Sequence, residues 1–300
     1  MTSIKTLFLA TRPHYLLLSI LLVVLGASLA GFYGSFAWGR FSLCLAGLVL
    51  LHISTNVLND YFDYSSGIDL ATQRTPFNGG SGVLNQGLLT PRQTLLFGLA
   101  AFMLAVPIGG YLVAELGWPL LPLFLLGAVF VIGNSSHITR LGYGLGELSA
   151  GLGLGSLPVF GTAWIIHGKP EVYFLFASVP SGLWVFNLLF LNEFPDAQPD
   201  QKAGRKTLVI ELGFANAQRL YSCLSLLSFL WIAAGTLAGV MPLQSMLAVL
   251  SLPFAARAIA LSRIPDFGGK FTQAQAANVG LVLSAHSLLA LGYFLAINLS

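Results

Sequence analysis

Nine long apolar stretches run through this chain and restrict it to a small set of folds. Their centres lie near Leu22, Val49, Phe102, Leu126, Leu154, Leu183, Leu227, Leu250 and Leu288. A helix needs about 20 mostly apolar residues to cross the hydrocarbon core of a bilayer. Only 8% of the residues are charged, against about 25% in soluble domains. The sequence therefore predicts an integral membrane protein.

The stretches are apolar on all sides, which favours helices over the strands of a transmembrane barrel, since those strands alternate at every second residue. Lys5 and Arg12 precede the first stretch, as in a secretory signal, but no convincing small-residue cleavage site closes it. We expect an all-α integral membrane protein of about nine transmembrane helices that forms a single domain over residues 1–300.

The basic residues predict the orientation of this bundle, because loops rich in Lys and Arg stay in the cytoplasm. With the N-terminus inside, only Arg40 and Lys169 fall outside. The inner set comprises Lys5, Arg12, Arg74, Arg92, Arg140, Lys202, Arg205, Lys206, Arg219, Arg257, Arg263 and Lys270. We expect a multi-pass protein of a bacterial or archaeal cytoplasmic membrane. The net charge of +3 reflects this topology and indicates no nucleic-acid partner.

Cysteine and histidine do not indicate a metal site of their own. Cys44 and Cys223 fall inside apolar stretches, where a thiol usually packs as a small apolar group. None of the histidines has the i, i+4 spacing of a zinc-binding helix. They are His14, His52, His137, His167 and His286.

Six of the eleven carboxylates fall in two clusters at the ends of the second and sixth stretches. The first cluster reads Asn59-Asp60-Tyr61-Phe62-Asp63 and continues to Asp69, and the second reads Asn192-Glu193-Phe194-Pro195-Asp196 and continues to Asp200. The shared Asn-x-x-x-Asp pattern, offset by 133 residues, indicates an internal parallel repeat of about residues 1–134 and 135–300. The basic residues predict that both clusters face the cytoplasm.

Spacing predicts the local structure of each cluster. Asn56, Asn59 and Asp63 recur at i, i+3 and i+7 on one helix face, and Ser65-Ser66-Gly67 supplies a turn that returns Asp69 to that face. A lone aspartate at a helix end is usually solvated or a cap, but here three aspartates and two asparagines coincide. In the second cluster Pro195 and Pro199 oppose a continuous helix, so we expect the helix to end near Phe194.

Basic residues follow each cluster. Arg205 and Lys206 come after the second, although the positive-inside pattern by itself explains their position. Arg74 comes after the first and precedes a glycine-rich run, Thr75 to Gly82, whose N–H groups suit phosphate oxygens. This run is not a Walker loop, and a flexible loop explains it equally well.

These residue types together suit one kind of chemistry. Oxygen ligands without His or Cys select hard cations, and Mg²⁺ takes one or two carboxylates together with substrate phosphates and water. Two such half-sites facing each other would hold a diphosphate between two Mg²⁺, with Arg74, Arg205 and Lys206 sharing its remaining charge. An isoprenoid tail on that diphosphate would dissolve among the apolar helices.

The motifs resemble those of the UbiA superfamily of intramembrane prenyltransferases, over essentially the whole chain. The resemblance implies a UbiA-type helical bundle with catalytic residues Asn59, Asp60, Asp63 and Asp196. It implies two diphosphate-bridged Mg²⁺ ions, one on Asn59, Asp60, Asp63 and Asp69 and the other on Asn192, Asp196 and Asp200. The implied diphosphate contacts are Arg74, Arg140, Asn192, Arg205 and Lys206.

Three features resemble those of the menaquinone branch of this superfamily. Asp63 and Asp69 are six residues apart, and two segments read Gly144-Leu145-Gly146-Glu147-Leu148 and Gly204-Arg205-Lys206-Thr207-Leu208. The implied reaction joins a polyprenyl diphosphate to 1,4-dihydroxy-2-naphthoate, with loss of CO₂ and a proton. Alternatives are another aromatic acceptor such as 4-hydroxybenzoate, and a terpene cyclase with the same metals. A transporter is disfavoured, because its polar groups would lie near mid-membrane. The sequence indicates no oligomeric state.

Overall fold

The computed structural model describes residues 3–34, 36–71, 75–264 and 267–299. Within these ranges the chain is helical and contains no strand. The α-helices are α1 Ile4–Ala10, α2 Pro13–Phe32, α3 Trp38–Ser65, α4 Ile68–Ala71, α5 Pro91–Leu116, α6 Leu121–Gly133, α7 Thr139–Leu141, α8 Leu145–Gly151, α9 Leu157–His167, α10 Val172–Lys202, α11 Leu208–Leu237, α12 Leu252–Ser262 and α13 Gly269–Ile297. Short 3₁₀ segments (Trp118–Leu120 and Leu243–Ser251) and π-helical turns (Asn134–Ile138 and Leu152–Ser156) connect several of them.

Helices lie at all nine predicted centres. In the described residues eight helical segments are long and apolar enough to cross a membrane. They are Pro13–Phe32, Trp38–Ser65, Pro91–Leu116, Leu145–His167, Val172–Lys202, Leu208–Leu237, Leu243–Ser262 and Gly269–Ile297. The remaining segment, Trp118–Gly133, is shorter and continues directly into the π-helical turn Asn134–Ile138. The predicted all-α membrane fold is confirmed.

Small residues allow a close helix contact where the π-helical turn Leu152–Ser156 crosses α10. A Cβ atom added to Gly155 would lie 2.8 Å from the Cα atom of Gly182. The Ser181 hydroxyl donates to the Gly155 carbonyl at 3.2 Å across the same contact. Such close backbone approach is typical of helices that pack in lipid, where burial of apolar surface gives little drive for association.

A buried polar network joins the helices that carry the second acidic cluster and its partners. The Asn187 amide in α10 donates to the Tyr221 carbonyl of α11 at 3.0 Å, and the Tyr221 hydroxyl donates to Asn278 of α13 at 3.0 Å. The Asn278 amide completes the ring by donating to the Asn187 carbonyl at 3.1 Å. Side-chain hydrogen bonds of this kind fix helix register in a bilayer.

The expected helix end near Phe194 is wrong, because α10 continues through Pro195 and Pro199 to Lys202. A proline inside a helix removes one backbone hydrogen bond and costs about 3 kcal/mol. Packing of the same turns offsets that cost, since Phe194 is 1% exposed and the buried Asp200 pairs with Arg205 at 3.0 Å. Asn192, Asp196 and Asp200 consequently lie along one side of a continuous helix rather than on a turn.

Candidate active site

The two acidic clusters meet at one end of the bundle, joined by Arg205. The Nη1 atom of Arg205 donates to the Asp200 carboxylate at 3.0 Å, and its Nη2 atom donates to Asp63. The ends of α3 and α10 therefore face the same small volume. Burial lowers the pKa of the Arg205 guanidinium, but Asp63 and Asp200 outweigh burial and raise it above its ordinary value.

The side chains of the first cluster are held by one another and by the N-terminal segment. The Asn59 amide donates to Asp63 at 2.9 Å, and Arg12 donates to both Asn59 (2.9 Å) and Asp60. The backbone N–H of Ser81 donates to Asp60 at 3.1 Å, and the Ser81 hydroxyl donates to the other oxygen of Asp60. Asp60 is 2% exposed, so its carboxylate is fully engaged with protein donors.

Asn56 shares the predicted helix face but has a different partner. Its amide donates to the Thr11 carbonyl at 2.9 Å. Asn56 thereby anchors the backbone immediately before Arg12, and it is a positioning residue rather than a member of the acidic pair.

Asp69 returns towards the first cluster on α4, as predicted, and Gly80 lies between them. A Cβ atom on Gly80 would lie 2.6 Å from Asp60 Oδ1 and 3.3 Å from Asp69 Oδ2, and the backbone there is left-handed (φ +64°). Only glycine fits this conformation and this close approach. Burial raises the pKa of Asp69 to about 7, and the neighbouring Asp63 and Asp60 add to the effect.

The second cluster is held by the glycine-rich loop and by α13. The Asn78 amide donates to the Asn192 carbonyl at 2.6 Å and to Asp196 Oδ2 at 2.5 Å. The Gln275 amide donates to Asn78 Oδ1 at 2.7 Å and to Asn192 Oδ1 at 3.1 Å. Loop residues that follow the first cluster thus fix the second.

The segment that carries Arg205 is pinned on both sides. The backbone N–H of Arg205 donates to the Asp200 carbonyl at 2.9 Å, and the Lys206 N–H donates to the Thr139 carbonyl at 2.9 Å. The buried Glu147 carboxylate accepts the first N–H of α11, from Leu208, at 2.6 Å. These bonds hold the guanidinium between α3 and α10.

Two of the other predicted phosphate contacts, Lys206 and Arg140, are not paired with the acidic clusters in the described residues. The side chain of Lys206 is exposed and packs beside Gly142, and Arg140 is exposed. Neither forms an ion pair with a carboxylate in the described part of the chain. Arg74 lies outside the described residues.

Sequence reasoning missed three residues of this site: Arg12, Asn78 and Gln275. In the sequence Arg12 indicates only the orientation of the first helix, and Asn78 is one residue of a glycine-rich run. Gln275 is 1% exposed in an apolar helix, and a polar residue in such a helix is itself a signal of function. Their partners come from distant parts of the chain, so spacing could not reveal them.

The donor set of the site fits a hard cation. It consists of carboxylate and amide oxygens from Asn59, Asp60, Asp63, Asp69, Asn192, Asp196 and Asp200, with no histidine or thiolate among them. Among the described residues no group of three acidic, histidine or cysteine side chains is already arranged to hold a metal ion. Arg12 and Arg205 form ion pairs with three of the carboxylates. Five aspartates against these two arginines leave a formal excess of three negative charges, which favours cations.

An apolar helical bundle with a converging acidic site at one end defines an intramembrane enzyme. Residues 19–266 match the UbiA prenyltransferase family, and the chain belongs to this family.

Individual relatives agree with this assignment. The chain is 28% identical to the 1,4-dihydroxy-2-naphthoate octaprenyltransferase of Bacillus subtilis (strain 168), over 85% of this chain and 81% of that protein. Its fold is similar to the apo structure of a UbiA homolog from Aeropyrum pernix K1, with a TM-score of 0.69 and 19% identity over 93% of this chain and 98% of that one. It is also similar to a UbiA homolog from Archaeoglobus fulgidus bound to DMAPP and Mg²⁺, with a TM-score of 0.60 and 13% identity over 95% of this chain and 99% of that one.

Proposed function

We propose that this enzyme transfers a polyprenyl group from a polyprenyl diphosphate to 1,4-dihydroxy-2-naphthoate, in a Mg²⁺-dependent step of menaquinone synthesis. The observation that carries the proposal is Arg205, whose guanidinium contacts Asp63 of one acidic cluster and Asp200 of the other. A diphosphate bridging two metal ions needs carboxylates on two sides and a cation between them. Membership of the UbiA prenyltransferase family and the curated naphthoate-specific relative support the same reaction.

The proposed ligands of one Mg²⁺ are Asn59, Asp60, Asp63 and Asp69, and those of the other are Asn192, Asp196 and Asp200. Two ions would convert the formal excess of three negative charges into one positive charge, which attracts a diphosphate. The proposed diphosphate contacts are Arg205 and Asn192, which lie among the carboxylates, together with Arg74, Arg140 and Lys206.

Bound Mg²⁺ neutralises the diphosphate and makes it a better leaving group. The protein orients it: Arg205 offers a planar fork of donors, and Asn78 and Gln275 hold Asn192 and Asp196 in place. The allylic carbon bonds to the electron-rich ring as its bond to the diphosphate oxygen breaks. The ring then loses its carboxylate as CO₂.

A cavity of 820 Å³ between α3, α5, α6 and α9 offers space for the isoprenoid tail. Its walls include Leu48, Leu51, Phe102 and Phe124. Leu51 lies about two turns of α3 before Asn59, which places this wall of the cavity about 12 Å along the helix from the acidic site. The surrounding bilayer takes up any part of the tail that extends beyond these walls.

The N-terminus and the site are proposed to face the cytoplasm of a bacterial or archaeal cell. The charge asymmetry supports this orientation, since twelve of the fourteen basic residues fall on the side that carries the acidic clusters.

The test is an acceptor panel with the purified protein in lipid nanodiscs. Incubation with Mg²⁺, a polyprenyl diphosphate and naphthoate, benzoate or homogentisate acceptors is analysed by mass spectrometry, with a chelator as control. We expect a product of the mass of prenylated naphthoate less CO₂, formed only with Mg²⁺. A cyclic hydrocarbon formed without acceptor would instead identify a terpene cyclase.

A further inference from the structure

Arg12 has an unusual backbone conformation next to the acidic site. It is left-handed (φ 51°, ψ 64°) and directly precedes Pro13, the first residue of α2. A residue before proline normally adopts extended backbone, and left-handed backbone is unfavourable for residues with a side chain. Strained residues of this kind concentrate at ligand-binding sites.

The Arg12 guanidinium is only partly satisfied by its contacts. Its Nη2 atom donates to Asn59 at 2.9 Å and to Asp60, while its buried Nε–H has no hydrogen-bond partner in the described part of the chain. The side chain is 15% exposed. Because the donors of a guanidinium lie in one planar fork, Nε–H and Nη2 would together offer a bidentate site to an acceptor once Nη2 leaves Asn59 and Asp60.

Arg12 and a metal ion compete for the same oxygen atoms. Asp60 Oδ1 accepts from Arg12 and from the Ser81 N–H, and Asp60 Oδ2 accepts from the Ser81 hydroxyl. A cation can bind Asp60 and Asn59 fully only when the guanidinium moves away. A Cβ atom on Gly80 would lie 2.6 Å from Asp60 Oδ1, 3.2 Å from Arg12 Nη2 and 3.3 Å from Asp69 Oδ2, so glycine keeps a side chain of its own out of the space where Arg12 meets the carboxylates.

We propose that Arg12 is an exchangeable cation: it neutralises Asp60 and hydrogen-bonds to Asn59 until a divalent metal displaces it, and its guanidinium then binds the substrate's diphosphate. This inference rests on the proposed function and adds a residue and an order of events to it. Before the metal arrives Arg12 keeps the carboxylate paired, and afterwards it supplies a forked donor to phosphate oxygens.

The test measures binding rather than turnover, with Mn²⁺ as a paramagnetic probe for the divalent site and inorganic diphosphate as a probe for the anion. Purified wild type is compared with Arg12→Ala, with Arg12→Gln as a second neutral variant in case the alanine variant does not fold. Arg92→Ala is the matched control, because Arg92 is an exposed arginine at the start of α5.

Without diphosphate we expect the neutral Arg12 variants to bind Mn²⁺ about tenfold more tightly than wild type, the scale of one charge-assisted hydrogen bond. At saturating Mn²⁺ we expect them to bind diphosphate about tenfold more weakly. Low concentrations of guanidinium ion should weaken Mn²⁺ binding by Arg12→Ala back towards wild type. The Arg92→Ala variant should match wild type in both measurements.

Unchanged or weaker Mn²⁺ binding by both neutral variants would overturn the exchange and leave Arg12 a structural residue. Tighter Mn²⁺ binding with unchanged diphosphate binding would overturn the second half of the proposal. If wild type itself binds no Mn²⁺, the proposed function fails and the exchange fails with it. If wild type binds Mn²⁺ normally but the Arg12 variants do not show the expected changes in binding, only the proposed exchange is overturned.

Discussion

The Nδ2 atom of Asn78 lies 2.5 Å from Asp196 Oδ2, so the loop that follows the first acidic cluster is hydrogen-bonded directly to the second. The same amide reaches the Asn192 carbonyl at 2.6 Å, and its oxygen accepts from Gln275. Asn78 is buried. One loop residue therefore couples α10, α13 and the glycine-rich run. The effects expected for substitutions of Asn78 and Gln275 depend on this coupling.

Asn78→Ala should lower kcat/KM for prenyl transfer about tenfold or more, because removing one partner leaves buried polar groups of Asp196 and Gln275 unsatisfied. Initial rates at varied prenyl diphosphate concentration provide the measurement. Asn85→Ala is the matched control, since Asn85 is exposed in the same loop and donates only to the Asp69 carbonyl at 3.3 Å. Equal rates for both variants would contradict the role of Asn78.

Asp63→Asn and Asp196→Asn should each reduce Mg²⁺-dependent prenyl transfer about 100-fold or more while leaving expression intact, because each removes a carboxylate at the proposed metal positions. Activity is measured in membranes with matched protein levels. The control is Glu115→Gln, which removes a carboxylate from the opposite end of the bundle, where Glu115 pairs with Arg40 at 2.8 Å. Full activity in either aspartate variant refutes the metal assignment.

Gly80→Ala should weaken divalent-metal binding about tenfold or more, since its Cβ would lie 2.6 Å from Asp60 Oδ1. Gly87→Ala separates this clash from backbone strain: Gly87 has φ +66°, close to the +64° of Gly80, but no atom lies within 4 Å of its added Cβ. Mn²⁺ titration of both variants checks the prediction. A similar loss in both would show that left-handed backbone strain, rather than the clash, causes the effect.

Gln275→Leu should raise the KM for prenyl diphosphate about tenfold, because the amide that holds both Asn78 and Asn192 is lost while the apolar volume is kept. Gln273→Leu is the control, as Gln273 lies two residues away on the exposed side of α13. Steady-state kinetics of both variants, with thermal stability measured in parallel, distinguish the two positions. A higher KM with unchanged Tm is the expected result for Gln275→Leu.

Much of this architecture follows from local sequence properties. The nine apolar stretches predict the helices, because a chain in lipid must satisfy its backbone hydrogen bonds within each segment. The spacing of Asn59, Asp63 and Asp69 predicts one helix face closed by a turn, and the structure confirms that geometry. The internal repeat of residues 1–134 and 135–300 stays a prediction.

The course of α10 could not be predicted in the same way. Pro195 and Pro199 locally oppose a helix, and the packing of Phe194 against neighbouring helices and the pairing of Asp200 with Arg205 outweigh them. Arg12 likewise gives no local signal, since its contacts with Asn59 and Asp60 span 47 and 48 residues of sequence.

The sequence by itself determined that this protein is a helical membrane enzyme and predicted which carboxylates form its site, because hydrophobic length and ligand chemistry are local properties of the chain. The tertiary structure alone decided which cations and amides meet those carboxylates. Arg12, Asn78, Arg205 and Gln275 come from four separate segments, and helix packing sets their distances. Exposed Lys206 and Arg140, by the same packing, lie away from the carboxylates that Arg205 joins.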